Sequence, residues 1–440
     1  MPKISDNNLM EKIVSLCKRR GFVCPGSEIY GGLASTYDYG PLGAELKNNI
    51  KKLWWKYFVQ DRDDMVGLDG NIILSPKIWE ASGHVKNFKD PLVECKKCHQ
   101  RFRLDKLKET SKCPSCGGPF TEPKMFSGMF KTTIGAIEEE GLAAYLRPET
   151  AQSIFADFKN VLDSTSQKVP FGIGQIGKAF RNEITTGQFI FRTIEFEMME
   201  IEYFIAPDAK WQKIFEDWVE YIYGYADLLG LSKQNFYNHE IPDEERAFYS
   251  KRTIDIEYKF PWGNDELWAI AYRTDYDLSA HQKASGKSLE YFDEAAKKKY
   301  VPHVIEPTFG VDRTLLVLLC EAYTEEKLDK GETRVVLKLK PSVAPYKVAV
   351  FPLLANKEKL VARAREIYNE LKKDFHVYWD DRGNIGKRYR CQDEIGTPFC
   401  VTVDFDSLEK DDVTIRDRDT MKQERVKIKE LTEYLDKKLT

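Results

Sequence analysis

Long apolar runs are missing from this chain of 440 residues. No stretch approaches the roughly 18 consecutive apolar residues that a membrane-spanning helix requires. The opening segment, MPKISDNNLMEKIVSLCKRRGF, holds no uninterrupted apolar core of the kind that a secretory signal needs. The sequence therefore predicts neither a membrane anchor nor an export signal.

Cysteine is too sparse and too scattered to build a disulfide framework. Of the nine cysteines, four fall in two close pairs, and the other five are spread from Cys17 to Cys400. This usage is typical of a reducing compartment. We expect a cytoplasmic protein.

Net charge is also nearly absent. The formal charge of −3 is unusual for a protein that coats nucleic acid without specificity, although it leaves room for a local basic face. A hydrophobic content of 42% with 12% aromatic residues excludes wholesale disorder. The length is too great for one compact core and predicts two or three domains.

Hydrophobic periodicity predicts a long mixed region followed by a small α/β unit. Apolar residues at helical spacing after Gly40-Pro41 predict a helix over 42–59, which suits either a core or a subunit interface. Further predicted elements are strands within 169–204, a helix over 208–230, strands at 253–260 and 266–273, and a strand followed by a buried helix over 304–321. Residues 331–342 are predicted to be a linker, and alternating strands and helices from Val348 onward predict a separate α/β domain.

Four cysteines indicate a metal site. Cys95-x-x-Cys98 and Cys113-x-x-Cys116 form two knuckles in segment 91–123, which lacks a long apolar run. Two such knuckles suit one tetrahedral zinc ion, which supplies folding energy that a small segment lacks. Because four cysteines fill the coordination shell, the zinc is predicted to be structural. His99 is predicted to be a bystander, and the alternative is four ordinary cysteines.

Acidic and basic residues are concentrated on the strands within 169–204. Arg181 and Glu183 lie two residues apart and share one face of a strand. After a loop at 185–188, the chain returns through a run that carries Glu195, Glu197, Glu200 and Glu202 among large apolar residues. Any single glutamate is also explained by a β-hairpin with one solvent-exposed face. Together, the two charge signs and the aromatic residues indicate a pocket for a charged ligand.

A second candidate ligand site lies at the start of a buried helix. Glu306 to Arg313 are expected to form a strand, a glycine break and the first helical turn. Backbone N–H groups and the helix dipole favour anions at that position, and an arginine there suits a phosphate ligand.

Three blocks in this order resemble the signature motifs of the class II aminoacyl-tRNA synthetases. They are a helix led by Gly40-Pro41, the Phe180-Arg181-Asn182-Glu183 strand and the Gly310-Val311-Asp312-Arg313 turn. Finer matches are similar to the homodimeric glycyl-tRNA synthetases within that class. These matches are YDYGPLG at 37–43, RPETAQ at 147–152, FRTIEF at 191–196, RTDYDL at 273–278 and EPTFG at 306–310.

The resemblance implies the fold and the domain organisation. We expect an α+β class II catalytic domain over 1–335, with an antiparallel sheet flanked by helices. Within it, a zinc-ribbon-like insertion is expected at 91–123 and a helical insertion at about 205–260. An α/β anticodon-binding domain is expected over 342–440, and the 42–59 helix is expected at a homodimer interface.

The resemblance also implies an ATP site served by magnesium. Arg181 would hold the α-phosphate, Glu183 would meet the adenine amino group, and the adenine would stack between Phe196 and Arg313. Arg181 and Arg313 are the expected catalytic residues. The implied ATP-binding residues are Arg181, Asn182, Glu183, Phe191, Arg192, Thr193, Ile194, Glu195, Phe196, Glu266, Leu267, Gly310, Val311, Asp312 and Arg313.

Glycine would be recognised through its ammonium group. Glu149, Glu200 and Glu306 match the family positions around that group, and Thr308 would crowd the Cα and reject larger amino acids. The implied glycine-binding residues are Arg103, Glu149, Phe196, Glu197, Met198, Met199, Glu200, Glu306, Pro307, Thr308, Phe309 and Gly310. The expected activity is glycine activation by ATP, followed by transfer to tRNA(Gly).

Two basic clusters in the C-terminal region are candidates for tRNA contact. They contain Arg388 and Arg390 in the first and Arg416 and Arg418 in the second, where arginines and a tyrosine could meet single-stranded RNA. Each cluster also fits a solvated surface turn. Neither DNA nor a membrane is an expected partner.

Three other functions compete with this interpretation. The first is a related synthetase for serine, threonine, proline or histidine, against which the three pocket carboxylates argue. The second is a non-catalytic synthetase-like protein, which would be expected to lose Arg181 or Arg313. The third is a zinc-ribbon nucleic-acid-binding module. The small share of the chain that the ribbon occupies argues against it.

Overall fold

The computed structural model describes residues 6–107, 109–136, 141–183, 187–328 and 331–439. Thr185 and Thr186 of the predicted loop therefore lie outside the described residues. The helices are α1 (Asp6–Arg20), α2 (Pro41–Trp55), α3 (Pro76–Ala81), α4 (His84–Asn87), α5 (Ala151–Thr165), α6 (Trp211–Leu229), α7 (Tyr276–Ser285), α8 (Val311–Ala322), α9 (Glu358–Leu371), α10 (Ile385–Ile395), α11 (Phe405–Lys410) and α12 (Leu431–Leu439).

The strands group into one large sheet, a five-stranded C-terminal sheet and several small ones. They are β1 (Val23–Pro25), β2 (Tyr37–Tyr39), β3 (Met65–Leu68), β4 (Ile73–Leu74), β5 (Lys89–Glu94), β6 (Arg101–Arg103), β7 (Lys124–Ser127), β8 (Lys131–Ile134), β9 (Leu142–Leu146), β10 (Phe171–Phe180), β11 (Glu195–Ile205), β12 (Phe236–Glu240), β13 (Arg252–Phe260), β14 (Gly263–Thr274), β15 (Tyr291–Asp293), β16 (Lys298–Tyr300), β17 (His303–Gly310), β18 (Tyr323–Lys327), β19 (Thr333–Leu337), β20 (Val348–Pro352), β21 (Val377–Trp379), β22 (Phe399–Val403), β23 (Asp412–Asp417) and β24 (Gln423–Lys427).

A seven-stranded sheet forms the centre of the N-terminal region, in the order β12-β13-β14-β17-β11-β10-β3. Its strands are antiparallel except for the edge pair β10 and β3. The predicted strand pair within 169–204 is confirmed, with Phe171 opposite Phe204 and Phe180 opposite Glu195. Side chains alternate between the two faces of β11, so Glu200 and Glu202 point to one face and Met199, Ile201 and Tyr203 point to the other.

Helices α2 and α8 cover one face of this sheet. In α2, Pro41 occupies the first turn, and Leu42, Leu46, Ile50 and Trp54 are buried. The predicted helix over 42–59 is α-helical only to Trp55 and continues as a π-helical turn, Lys56–Gln60. That turn directs the Phe58 ring into the core, with its centroid 5.1 Å from that of Phe309. Helix α8 is buried on all sides over most of its length, as its apolar sequence predicts.

The expected helical insertion at about 205–260 is only partly helical. Helix α6 covers Trp211–Leu229, but β12 and β13 follow it and join the central sheet beside β14. In β13, buried residues alternate with less buried ones, which is the pattern of a β-strand and explains why this part of the segment is not helical. The segment is therefore an integral part of the sheet.

The predicted linker at 331–342 contains a strand. Strand β19, Thr333–Leu337, pairs with β18 in an antiparallel hairpin that directly follows α8. Arg334, Val336 and Leu337 are buried. The charged composition of this segment reflects a buried ion pair, described below, and not a solvated linker.

The C-terminal sheet has the order β21-β20-β22-β23-β24 and its own core. Strands β21, β20 and β22 are parallel, β23 is antiparallel to β22, and β24 is antiparallel to β23. The alternation predicted from Val348 onward is confirmed for β20, α9, β21, β22 and β23. Helix α10 was not predicted, because its sequence is mostly polar and shows a basic cluster.

No helix in the described ranges combines the length and the apolar character that crossing a bilayer would require.

A close backbone approach at Gly43 allows α2 to pack beside residues 21–22. A Cβ atom at position 43 would lie 1.9 Å from the Phe22 backbone oxygen. We expect Gly43→Ala to destabilise the fold by about 3 kcal/mol, because a backbone oxygen cannot move aside as a side chain can. Chemical denaturation measures the loss. Gly386→Ala is the matched control, since its Cβ would meet its nearest neighbour at 3.6 Å. Equal stability of the two variants would contradict the packing argument.

Candidate active site

A cavity of about 290 Å³ opens where β11, β14 and β17 meet the start of α8. Many of the residues expected to bind ATP line it. The lining residues are Arg103, Arg181, Glu183, Ile190, Phe191, Arg192, Thr193, Phe196, Glu197, Met198, Glu266, Leu267, Trp268, Thr308, Gly310, Asp312 and Arg313. Four arginines face one cavity, so it suits a ligand with several negative charges.

Arg313 is fixed in the first turn of α8. Its Nη1 donates to the Glu266 backbone oxygen at 2.8 Å and lies 3.0 Å from the Glu266 carboxylate. The guanidinium carbon lies 4.3 Å from the centroid of the Phe191 ring. That ring is held in turn against Phe260 and Trp262. These contacts fix the Arg313 guanidinium at the cavity wall, although its helix position alone would leave it several rotamers.

Arg181 lies at the end of β10, across the cavity floor. Its Nε donates to the Pro148 backbone oxygen at 3.1 Å, and its guanidinium carbon lies 5.4 Å from the centroid of the Phe196 ring. Its backbone N–H donates to Ile194, the residue just before β11. The side chain is thus oriented by one hydrogen bond. Its two terminal nitrogens have no hydrogen-bond partner among the described residues, which leaves them available to a ligand.

Arg103 reaches the cavity from the cysteine-containing segment. It ends β6 and pairs with Asp90 at 2.8 Å and with Asp105 at 2.8 Å. Strand β5 joins β6 and β7 in a small sheet, which holds this arginine beside the larger domain. The position of Arg103 therefore depends on the fold of the segment that carries the cysteines.

Behind the cavity, Glu149, Glu200 and Glu306 are buried and interact with one another electrostatically. The Glu149 carboxylate lies 3.2 Å from Nε2 of His84 and accepts a hydrogen bond from the Gln152 amide at 3.0 Å. Burial alone would raise the pKa of Glu149, but His84 and Arg273 lower it below its usual value. Glu149 is therefore ionised in this setting.

Glu200 and Glu306 are held by different partners. Glu200 accepts hydrogen bonds from the backbone N–H of Thr150 at 2.7 Å and from its hydroxyl. Glu306 accepts from Nη1 of Arg273 at 2.6 Å. Burial and the charge of Glu149 raise the pKa of Glu200. Burial raises the pKa of Glu306, while Arg273 opposes the shift. A ligand that brings one positive charge would relieve this excess of buried negative charge.

Several residues expected at the ligand sites face elsewhere. The side chains of Met199, Phe309 and Val311 are fully buried in the main core on the opposite face of the strands. The Asp312 carboxylate accepts from Lys47 at 2.8 Å and from the Glu197 backbone at 2.7 Å. Alternation along β11 and β17 turns Met199 and Phe309 away from the cavity. Any ligand contact by the three apolar residues would come from their backbone, and the predicted contacts stay predictions.

Four residues of the carboxylate cluster were not predicted as site residues. Arg273 donates to Asp277 through Nε at 2.7 Å and through Nη2 at 2.9 Å. Gln152 bridges Glu149 and Asp277, and His84 approaches from α4. The RTDYDL and RPETAQ matches contained the signal for Arg273, Asp277 and Gln152. His84 lies in a stretch without a distinctive pattern, and only the tertiary fold brings it to Glu149.

The four paired cysteines form one cluster. Their Sγ atoms all lie within 4.8 Å of one another. Cys95 and Cys116 are 3.4 Å apart, and Cys98 and Cys113 are 3.6 Å apart. Sulfurs bound to a tetrahedral zinc at about 2.3 Å would be separated by about 3.8 Å. The cluster therefore fits zinc. The His99 ring is exposed and contacts Glu94 instead.

Three of the four arginines predicted to contact tRNA are buried. Arg388 donates to the Pro352 and Leu353 backbone oxygens, and Arg416 pairs with Asp393 at 2.8 Å. Arg418 donates to the Gly396 backbone oxygen at 2.8 Å. Their guanidinium groups are used inside the protein, so the structure gives no support for tRNA contact by these three, and that contact stays a prediction. Arg390 alone is partly exposed, and it pairs with Glu332.

Comparison with known proteins gives two family matches and close full-length relatives. Residues 130–322 match the tRNA synthetase class II core domain (G, H, P, S and T), and residues 347–438 match the anticodon binding domain. The glycine–tRNA ligase of Clostridium acetobutylicum is 51% identical over 99% of this chain and 100% of its own length. Those of Thermobifida fusca and Streptomyces coelicolor are 52% and 51% identical, each over 98% of both chains.

The buried arginines are expected to matter for stability. Arg416→Ala would leave Asp393 without its bidentate partner, and we expect a loss of about 3 kcal/mol in the free energy of unfolding. Arg390→Ala removes an exposed pair and should cost less than about 1 kcal/mol. Urea denaturation of both variants measures the difference. A stable Arg416→Ala protein with weakened tRNA binding would support the prediction of tRNA contact.

Proposed function

Because the chain belongs to the glycine–tRNA ligases of the class II aminoacyl-tRNA synthetases, we infer that it activates glycine with ATP and transfers it to tRNA(Gly). One observation carries the inference at the level of residues. The cavity lined by Arg181 and Arg313 lies at the ends of the strands that bury Glu200 and Glu306. A phosphate site and an ammonium site therefore adjoin, as the joining of ATP to an amino acid requires.

Arg181 and Arg313 are the proposed catalytic residues. The α-phosphate would bind Arg181, and the adenine would stack between the Phe196 ring and Arg313, with Glu183 at its amino group. The remaining proposed contacts to ATP come from the strand ends and loops that line the cavity. The nucleotide would be bound bent, with its phosphates toward the arginines. Arginine suits this role because its planar fork binds two phosphate oxygens at once.

The first step needs no nucleophile from the protein. A glycine carboxylate oxygen attacks the α-phosphorus, the bond to the bridging oxygen breaks, and pyrophosphate leaves with that electron pair. The arginines orient the phosphates and neutralise the charge that develops on them. In the second step, a ribose hydroxyl at the tRNA 3′ end attacks the glycyl carbonyl and AMP leaves.

Magnesium would accompany ATP. The cavity offers the carboxylate of Glu266, an oxygen ligand of the kind that this ion prefers. This residue would hold it together with the phosphates. When bound, magnesium supplies further neutralisation of phosphate charge.

Glycine is proposed to be recognised through its ammonium group. Glu149, Glu200 and Glu306 would surround it, and Thr308, opposite Glu200 in the sheet, would crowd the Cα. A larger amino acid would be excluded by lack of space. Steric exclusion is the effective strategy here, since a hydrophobic pocket gains only about 1–3 kcal/mol per methylene when it selects the larger substrate.

The cysteine cluster is proposed to bind a structural zinc ion through Cys95, Cys98, Cys113 and Cys116. Four thiolates leave no open coordination position for a substrate. The ion would stabilise the segment at 91–123 and, through it, the position of Arg103. Its contribution to activity is thus indirect.

The chain is proposed to divide into a catalytic domain over 1–335 and an anticodon-binding domain over 342–440. The latter would bind tRNA(Gly) through surfaces that include Arg390. A homodimer is proposed, with residues around α2 at the interface. The exposed apolar side chains of Ile29, Tyr30 and Leu33, in the segment before α2, support such an interface. The proposed location is the cytoplasm.

Amino-acid-dependent ATP–pyrophosphate exchange tests the proposed activity. We expect exchange with glycine and none above background with alanine, serine, threonine, proline or histidine. Arg181→Ala should reduce exchange by about 100-fold or more, because a charge that contacts the transition state is lost. Lys168→Ala, which changes an exposed lysine in the loop before β10, is the control for a surface cation. Exchange with another amino acid would contradict the glycine pocket. No exchange from folded protein would favour a non-catalytic function.

Metal removal tests the zinc proposal. Purified protein should contain about one zinc ion per chain, and Cys113→Ser should lose it because three thiolates bind far more weakly. Limited proteolysis should then cut the variant within 91–123. Metal analysis and mapping of the fragments measure both effects. Cys24→Ser, outside the cluster, should keep its zinc. A zinc-free wild-type protein that resists proteolysis would contradict the proposal.

A further inference from the structure

Glu202 is a buried acid without a partner. It lies near the end of β11 with no solvent exposure, and neither carboxyl oxygen has a hydrogen-bond partner among the described residues. An ionised carboxylate in such a position would be very costly. A structure that keeps this residue in a strand paired on both sides therefore implies a neutral side chain or a specific neighbour.

The sheet register identifies the neighbour. Strands β11 and β17 pair so that Glu200 is opposite Thr308 and Tyr203 is opposite Ile305. The same register brings Glu202 directly opposite Glu306. Residues in that relation point to the same face, with Cβ atoms about 4.5–5.5 Å apart. Two carboxyl groups thus share one buried location, next to the proposed ammonium site.

Two carboxyl groups so close in a buried place cannot both carry a charge. Glu306 accepts a hydrogen bond from Arg273 at 2.6 Å, which favours its ionised form. The other two nitrogens of that guanidinium, Nε and Nη2, donate to Asp277. No described donor serves Glu202. The proton that the pair retains therefore resides on Glu202.

We propose that Glu202 is a neutral carboxylic acid that donates its O–H to Glu306 and so positions that carboxylate for the substrate ammonium group. The inference rests on the proposed glycine site. Glu202 is a positioning residue that acts through Glu306. Burial, together with the charge of Glu306, also raises the pKa of Glu202 well above its usual value.

The proposal accounts for the charge of the cluster. With Glu202 neutral, Asp277 is matched by Arg273 and Glu149 faces His84. Glu200 and Glu306 then retain the charge that attracts an ammonium ion. The titratable and charged groups around Glu202 are Glu200 on its own strand, Glu306, Arg273, Asp277, Glu149 and Tyr249, with His84 and His281 farther out in the same network.

Glycine kinetics of two Glu202 variants test the proposal. Glu202→Gln keeps a neutral N–H donor, and the KM for glycine in ATP–pyrophosphate exchange should stay within about 3-fold of wild type. Glu202→Met has similar length but no donor, and its glycine KM should rise about 10-fold or more with the KM for ATP unchanged. The pH profile of kcat/KM for glycine should have the same shape in wild type and in Glu202→Gln. Glu200→Gln is the contrast, because it neutralises a proposed ammonium ligand and should raise the glycine KM strongly.

Infrared spectroscopy gives a readout that does not depend on activity. Wild-type protein at neutral pH should show the carbonyl stretch of a buried protonated carboxylic acid, and Glu202→Gln should lack it. A missing band, or a Glu202→Gln variant as impaired as Glu200→Gln, would overturn the proposal and make Glu202 an ionised ligand. Equal glycine KM values in the Gln and Met variants would also overturn it, because no donor would then be needed. Absence of glycine-dependent exchange in the wild type would instead refute the proposed function.

Discussion

The buried guanidinium of Arg273 is the interaction on which the architecture of the site depends. It binds Asp277 through two nitrogens and Glu306 through the third, and so ties β14, α7 and β17 together. Five acids lie in this region, and the loss of this fully buried guanidinium would leave charges without compensation. The same residue is thus a structural requirement and the element that sets the charge of the pocket.

A second ionic network fixes the side of the site where the phosphates are proposed to bind. Asp312 accepts from Lys47 and from the Glu197 backbone, and Glu197 pairs with Lys47 and Lys51. These contacts join α2 to the start of α8, where Arg313 lies. An aromatic core beneath them, which includes Trp54, excludes water. Preorganisation of this kind lowers the cost of reorienting groups when substrate binds.

Sequence reasoning was most successful where a local motif carries the chemistry. Arg181 and Arg313 were identified from short patterns, and both line one cavity. It could not distinguish buried arginines from exposed ones, as for Arg388 and Arg416, because an arginine inside a protein and one on its surface look alike in sequence. The partnership of Glu202 with Glu306 depends on strand register, which joins residues about a hundred positions apart and is invisible to local periodicity.

The β18–β19 hairpin follows α8 without a break, and its Arg334 meets Asp393 of α10 in a buried pair. The helix that carries Arg313 in its first turn is therefore connected through these contacts to the C-terminal domain. If that domain holds the anticodon as proposed, the spacing between the two ends of the bound RNA is set by the protein. The enzyme would then hold the anticodon-binding surface and the active site at a fixed separation, so that only a tRNA of matching length and bend could place its 3′ end in the active site.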